Sequence, residues 1–443
     1  MNRKQSVRVR VPWWMAFTGL VPLVLLLIAA GVQAAELRTT THQKKSLVRQ
    51  VNHKEVVARR ERRQQLIEEE IRRHEEPLSP EFVPCENCGA PGCQLECQLW
   101  CGRWVRMEYL LWWRKGRELP PLVTTDPGGG ILPAGQVLFG NEEVGRDVEP
   151  GARISGGYWI DDMEMRGMGI RFFAMDNANV RFDVDSSTVP VIARPFFDEG
   201  AGAENALVVA QPTLRDGTLT AISESRVIGG DAFYRVMVAG RPESRLDFIA
   251  GYQAARIDEN LSVFSTSTLT DPAGPDPVGT QISVFDSIDV RNEYHAGLVG
   301  LIWQYDSCGW KIESMAKVAF GNMQHTVQIG GVTTTITPPP APTIVSTGTG
   351  LLAQATNSGT FLQDSFTISP EFNLQATYRL NHWVDLSMGY SFIYWDRMMQ
   401  PGGQIDIASG SQSPILGTVR PTVPLAISDY WLHGISLGVL SRF

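Results

Sequence analysis

Apolar and polar side chains alternate one by one along the C-terminal part of the chain. Between Phe372 and Leu380, every second residue is apolar or aromatic, and the residues between them are Asn, Gln, Thr and Arg. The alternation continues from Val384 to Tyr394 and returns in the final stretch, Ile427 to Phe443. A period of two is the pattern of a β-strand that has one apolar and one polar face. These segments are therefore predicted to be strands.

From residue 102 onward, the sequence predicts ten strands separated by connections rich in Gly, Pro and Asp. The predicted strands are 104–113, 152–160, 163–175, 226–239, 245–257, 290–305, 310–328, 365–380, 383–398 and 427–443. The connections alternate between long and short, as they do in transmembrane barrels with long external loops and tight periplasmic turns. Residues 102–443 are therefore predicted to form an all-β, antiparallel, up-and-down transmembrane β-barrel of about ten strands. Eight or twelve strands follow if one of the less regular segments is assigned differently.

The polar faces of these strands supply candidate residues for the barrel lumen. The predicted lumen-facing residues are Lys311, Glu313, Lys317, Arg379 and Asp385. Their opposite charges can pair across a ten-stranded barrel, which encloses little room once side chains fill it. A narrow or closed channel is therefore expected.

Aromatic residues cluster at the predicted strand ends, where two girdles are expected at the headgroup level. The external set is Trp112, Trp113, Tyr394, Tyr430 and Trp431. The periplasmic set is Trp104, Tyr158, Trp159, Trp303, Tyr305, Trp310, Trp383 and Phe443. This distribution favours outer-membrane lipid as the surroundings of the barrel.

The start of the chain has the features of a secretory signal peptide. Basic residues precede an apolar segment from Trp13 to Ala30, and Val32-Gln33-Ala34 supplies a small-residue cleavage pattern. Residues 1–35 are therefore predicted to be a signal peptide, with a retained membrane anchor as the alternative. Residues 36–84 are charged and are predicted to form a solvated helix or linker in the periplasm. A coiled coil or a contact with a cell-wall or periplasmic partner is the alternative for this segment.

A cysteine-rich segment, residues 85–101, follows. It holds Cys85, Cys88, Cys93, Cys97 and Cys101, and the sixth cysteine, Cys308, lies far along the chain. Export to an oxidising compartment favours disulfides, including one bridge from this segment to Cys308. A zinc site formed by Cys85, Cys88, Cys93 and Cys97 is the weaker alternative, because the spacing is irregular and a second C-x-x-C is missing.

Composition narrows the class of protein further. The mean hydropathy is near zero, which is too polar for a helical membrane protein and suits barrel strands with one polar face. The net charge of −8 argues against nucleic acid as a partner.

Three segments together resemble the putative β-barrel porin-7 family of bacterial outer-membrane proteins. They are CGRWVRMEYLLWWRKG at the first strand, GGYWIDDMEMRGMGIRFFAMD at the first hairpin and WLHGISLGVLSRF at the end. The resemblance covers about Cys101 to Phe443. It implies an outer-membrane barrel whose terminal Phe443 is an assembly signal, presented on the C-terminal strand to the barrel-assembly machinery. These motifs are structural, so the resemblance implies fold and location rather than an activity.

The sequence contains no G-x-S-x-G, no phosphate-binding glycine loop and no H-E-x-x-H, and no cofactor is expected. The histidines of the barrel, His295, His325, His382 and His433, are scattered along it. The first functional hypothesis is a non-enzymatic barrel that acts as a narrow pore or as a structural and surface-interaction scaffold. One alternative is a barrel hydrolase of the protease or phospholipase type, which needs a His with a Ser or Asp at the external rim. Another is a secreted, soluble β-domain that binds glycans or partner proteins.

Overall fold

The computed structural model describes residues 102–307, 309–339, 346–381, 383–409 and 420–442. The predictions for residues 1–101 lie outside this part of the chain. Those predictions are the signal peptide, the charged helix or linker and the cysteine-rich segment. Cys308, His382 and Phe443 lie outside it as well.

Antiparallel strands close into a ring of ten. They are β1 (Arg103–Arg114), β2 (Glu149–Trp159), β3 (Arg166–Met175), β4 (Arg215–Arg241), β5 (Ser244–Leu269), β6 (Gln281–Ser307), β7 (Trp310–Ile336), β8 (Gly359–Arg379), β9 (Val384–Met398) and β10 (Ser428–Arg442). Each strand pairs with its neighbour in the chain, and β10 pairs with β1 from Trp104↔Arg442 to Arg114↔Leu432. Closure leaves the ring without an open edge strand. The predicted up-and-down barrel is confirmed.

The two ends of the barrel differ in how the strands are connected. Short turns join β2 to β3, β4 to β5, β6 to β7 and β8 to β9, and we call this the turn end. The long connections lie at the opposite, loop end. No helix among the described residues is long and apolar enough to span a membrane.

Side chains alternate across the barrel wall as the period of two requires. On β1, Met107 and Tyr109 point outward and are 62% and 54% exposed, whereas Arg106 and Glu108 are buried inside the barrel. On β10, Leu437 and Val439 point outward and are exposed. The outward apolar side chains of the ten strands form a continuous apolar belt, which is the surface that a bilayer covers.

Four strands continue far past the belt at the loop end. β4, β6 and β7 each have 27 residues and β5 has 26. A strand rises about 3.3 Å per residue, so about 10 residues cross a bilayer and the rest of these strands stand outside it. The continuous sheet formed by their outer halves is called the wall below.

The apolar face of the chain changes sides where the belt ends. On β7, Ile312, Val318 and Phe320 face outward within the belt, whereas Val327 and Ile329 face inward beyond it. Outside the membrane the outward face meets water and must be polar, so the hydrophobic phase inverts. This inversion blurs the alternation, so the sequence prediction placed the starts of the fourth and sixth strands too late. The two strands begin at Arg215 and Gln281.

Further short strands cover the loop end. Ala178–Asp185 pairs with the outer half of β4, and Ser346–Gly348 pairs with β7. A separate five-stranded sheet contains Val123–Thr125, Gln136–Phe139, Ile192–Asp198, Ala203–Ala210 and Ala408–Ser409. Arg117–Leu119 pairs with Glu142–Val144, and Pro401–Gln404 is a 3-10 helix. The inner face of the wall and these strands enclose a second apolar core.

Four of the aromatic residues predicted for the girdles lie inside the barrel instead. Trp112 and Tyr430 are fully buried among apolar side chains, and Trp104 lines an internal cavity. The Trp159 ring is covered by the guanidinium groups of Arg235 and Arg245. The prediction used only their position at a strand end. Alternate residues of a strand point to opposite faces of the sheet, and this alternation decides whether a side chain points into the barrel or out of it.

Candidate functional site

The interior of the barrel is the candidate functional site, and charged side chains fill its half nearer the turn end. Glu108 on β1 accepts two hydrogen bonds from Arg153 on β2, at 2.6 and 2.8 Å. Both side chains are buried. This is the bidentate arrangement that makes an Arg–carboxylate pair strong and directional.

Four charged residues meet at the centre of the lumen. Lys317 on β7 lies 2.6 Å from an oxygen of Asp231 on β4 and 2.9 Å from one of Glu371 on β8. Arg171 on β3 contacts the same two carboxylates at 2.5 and 2.7 Å. These four residues, called the quartet below, are neutral as a group. They connect strands on opposite sides of the ring.

More polar contacts surround the quartet. Arg106 on β1 reaches across the lumen to Gln375 at 2.6 Å and to Glu313 at 3.3 Å. Nearer the turn end, Asp247 accepts hydrogen bonds from both Arg235 and Arg245. Charges that are buried in this way are tolerated only when they are paired, so the network stabilises a filled lumen.

Apolar side chains fill most of the other half of the lumen, toward the loop end, where the buried charged residues Arg114, Arg117 and Glu259 lie beside them. Among the largest are the fully buried Trp112, Trp395, Tyr294 and Tyr430. We call this cluster the plug. A cavity of about 30 Å³ lies among the charged side chains, where Arg106, Glu108 and Arg153 line it, and it has room for on the order of two water molecules.

The structure places all five predicted lumen residues on the inward face. Lys317 belongs to the quartet, and Glu313 contacts Arg106 and Gln304. Asp385 pairs with Arg442 at 2.6 Å, and Lys311 and Arg379 line an open vestibule of about 200 Å³ at the turn end. The sequence prediction missed Arg106, Glu108, Arg153, Arg171, Asp231 and Glu371. The alternation in WVRMEYLLWW already places the first two on the inward face.

A polar trio interrupts the apolar interior at the loop end. His325 on β7 lies with Nδ1 2.6 Å from Oδ1 of Asn292 on β6 and with Nε2 2.8 Å from Oγ of Ser365 on β8. The trio lies beyond the belt, because the outward neighbours of His325 are Gln324 and Thr326. Burial lowers the pKa of His325 to about 4, against a smaller raising effect of Asp364, so the imidazole is neutral at pH 7.

This buried imidazole should make the protein less stable in acid. The pKa of His325 is about 4 in the folded state and about 6.5 when unfolded, so the unfolded chain binds the proton first as the pH falls. We expect the free energy of unfolding to decrease between about pH 6.5 and pH 4, and His325→Gln to remove that component. Denaturant titrations at several pH values measure it. A His325→Gln variant with the same pH dependence as the wild type would contradict this prediction.

Within the described residues, no group of three or more His, Cys, Asp or Glu side chains is arranged to hold a metal ion. The zinc alternative concerns Cys85, Cys88, Cys93 and Cys97, which lie outside the described residues.

A closed ring with an apolar outer belt and a polar interior defines an outer-membrane β-barrel. The family model "Putative beta barrel porin-7 (BBP7)" matches residues 104–443. The chain therefore belongs to that family, as its motifs indicated.

Solved structures of other barrels are similar at low identity. The outer membrane protease OmpT from Escherichia coli is 9% identical, covers 77% of this chain and 97% of its own, and gives a TM-score of 0.37. A deletion mutant of the monoaromatic hydrocarbon channel TodX is 8% identical, with coverages of 77% and 91% and a TM-score of 0.21. The Ralstonia pickettii toluene transporter TbuX is 10% identical, with coverages of 77% and 90% and a TM-score of 0.15. These likenesses are too distant to bear on activity. Among curated proteins, none matches the chain.

Proposed function

We propose that the protein is a closed outer-membrane anchor that presents an external β-structured surface, rather than an open pore. The observation that carries this proposal is the filled lumen. Charged side chains fill the half nearer the turn end and the plug lies toward the loop end, and the cavity among the charged side chains has a volume of about 30 Å³. A solute crossing the barrel would have to break the quartet and then displace the tryptophans of the plug.

The material outside the membrane supports a surface role. The wall stands well beyond the belt, and the five-stranded sheet packs at the same end. Arg194 in that sheet forms a buried ion pair with Asp286 of β6 at 2.5 Å, and Asp286 also accepts hydrogen bonds from the amides of Leu352 and Ala353. These contacts fix loops to the wall, as a surface for binding partners requires.

In this proposal the loop end is extracellular and the turn end is periplasmic. The described chain begins and ends at the turn end, so residues 36–84 would extend into the periplasm after removal of residues 1–35. Their charged helix would contact a cell-wall or periplasmic partner, and the cysteines would form disulfides there. Phe443 would direct the last strand to the assembly machinery.

Planar-bilayer recording tests the closed state. We expect the purified full-length protein to insert without resolvable single-channel steps, because side chains of the described strands fill the lumen. A shift in gel mobility between unheated and boiled samples should show that the same preparation is folded. Steady, large-conductance steps from that preparation would rule out the closed anchor.

A further inference from the structure

The hydrogen bonds around Asn292 fix the proton positions of the polar trio. Its side-chain amide donates to the carbonyl oxygen of Met399 at 2.9 Å, and its Oδ1 accepts from the amide of Met399 at 3.0 Å. This two-fold contact leaves Oδ1, a pure acceptor, facing His325 Nδ1. The neutral imidazole must therefore carry its proton on Nδ1, and Nε2 must accept from the hydroxyl of Ser365.

The direction of this hydrogen bond, from the serine hydroxyl to the imidazole, is that of a serine nucleophile and its general base. The hydroxyl donates to Nε2 at 2.8 Å, which is within the reach required of a base, and a third group orients the imidazole. Asn292 would act as the positioning residue of the trio. Ser–His–Asn is a variant of the arrangement that activates serine in unrelated hydrolases.

A seam in the barrel wall runs beside Ser365. β8 pairs with β7 over its whole length up to Tyr378, but its pairing with β9 begins only at Glu371↔Ile393. Ile368 directs its amide at the side chain of Asp396 on the β9 side, so Pro370, two residues along, faces the same side. Proline has no N–H to donate, and the β8–β9 ladder ends there.

The seam lies at the outer edge of the belt, where the carboxylates of Asp364 and Asp396 stand beside apolar side chains. Leu362 and Phe366 point outward beside it and are 67% and 61% exposed. Inside the barrel, Met323, Met398 and Met399 are fully buried at the level of the trio. Methionine side chains adapt readily to new shapes, so an apolar chain could replace these contacts.

We propose that Ser365 is a nucleophile for carboxylic esters with an apolar acyl chain, which reach it from the outer edge of the membrane through the seam between β8 and β9. This inference goes beyond the anchoring role and is independent of it, since a closed barrel can hold such a site at its rim. It differs from the expectation of a non-enzymatic barrel, which rested on sequence motifs alone.

The reaction follows from the proton positions. Ser365 Oγ forms a bond to the acyl carbon while its proton passes to His325 Nε2. The ester C–O bond breaks, and the leaving alcohol takes the proton from Nε2. Water then attacks the acyl-serine, again through His325, and releases the carboxylic acid and the free serine.

Labelling of the folded, full-length protein with an alkyl fluorophosphonate tests the proposal. The probe should attach to Ser365, as located by mass spectrometry, with loss of fluoride. Ser365→Ala should abolish attachment, and His325→Gln should slow it by about 100-fold or more, as expected for loss of a general base. Asn292→Asp should keep the reaction, because a carboxylate still accepts from Nδ1, whereas Asn292→Leu should not.

Ser369→Ala is the matched control, because Ser369 is buried on the same face of the same strand. It should label like the wild type. Hydrolysis of p-nitrophenyl esters should increase from acetate to longer acyl chains and be lost in Ser365→Ala. All variants should keep the folded gel mobility. A folded wild type with no label on Ser365, or a Ser365→Ala variant that hydrolyses esters at the wild-type rate, would overturn the proposal without affecting the closed anchor.

Discussion

Replacing Lys317 with Met should lower the free energy of unfolding of the barrel by about 3–5 kcal/mol, the range seen when one partner is removed from a buried ion pair. Lys317 is buried and lies within 3 Å of both Asp231 and Glu371. Without it, two buried carboxylates share the single charge of Arg171. Urea unfolding in lipid vesicles, followed by tryptophan fluorescence, measures the change.

Lys311→Met is the matched control for this prediction. Lys311 points inward on the same strand but lines the open vestibule, and its ammonium group makes no hydrogen bond or ion pair with the described residues. Its replacement should change the unfolding free energy by less than about 1 kcal/mol. Equal effects of the two substitutions would show that the quartet does not stabilise the lumen.

Gly251→Ala should prevent normal closure of the barrel or cost at least about 3 kcal/mol, the upper part of the range for overpacking. A Cβ at Gly251 would lie 2.6 Å from the Cα of Phe233 and closer still to the carbonyl oxygen of Ala232. Both are backbone atoms of β4, so no side chain can rotate away. The strands themselves would have to separate. The fraction of protein that reaches the heat-modifiable, folded form measures the effect.

Gly297→Ala tests the same substitution where there is space. A Cβ at Gly297, on the neighbouring β6, would meet nothing within 4 Å. This variant should fold as well as the wild type, and the loss of backbone freedom in the unfolded chain should even favour it slightly. A similar folding defect in both variants would show that glycine is needed for flexibility rather than for close approach.

Much of the fold could be predicted from the sequence, because a membrane strand needs one apolar face along its whole span. The alternation from Phe372 to Leu380 and from Val384 to Tyr394 identified β9 nearly to the residue and β8 except for its start, which lies at Gly359 and not at residue 365. The lengths of the strands that form the wall were underestimated, because their apolar residues change from the outward to the inward face. A segment such as 215–225 has polar residues on the outward face and small or apolar ones inside, so it does not look like a membrane strand.

The contacts of the interior were harder to predict than the direction of its side chains. Parity along one strand places Lys317 inside, but its partners Asp231 and Glu371 lie on strands that are distant in sequence. Which of the inward charges meet depends on the stagger of the strands around the ring. The polar trio was not predicted for the same reason. Asn292, His325 and Ser365 lie on three different strands and form no motif in the sequence.

The wall has a mechanical consequence. β4 to β7 continue from the membrane into the wall, and the ladders between them run from one end to the other with one register shift, at Met237/Ala239 of β4. A force applied to the wall along the strand direction would act on the hydrogen bonds between the strands in parallel, in shear. The bonds would share the load and would not break one at a time. Force applied by a bound partner would therefore reach the membrane-embedded ring directly, with no flexible linker between them to extend or be cut.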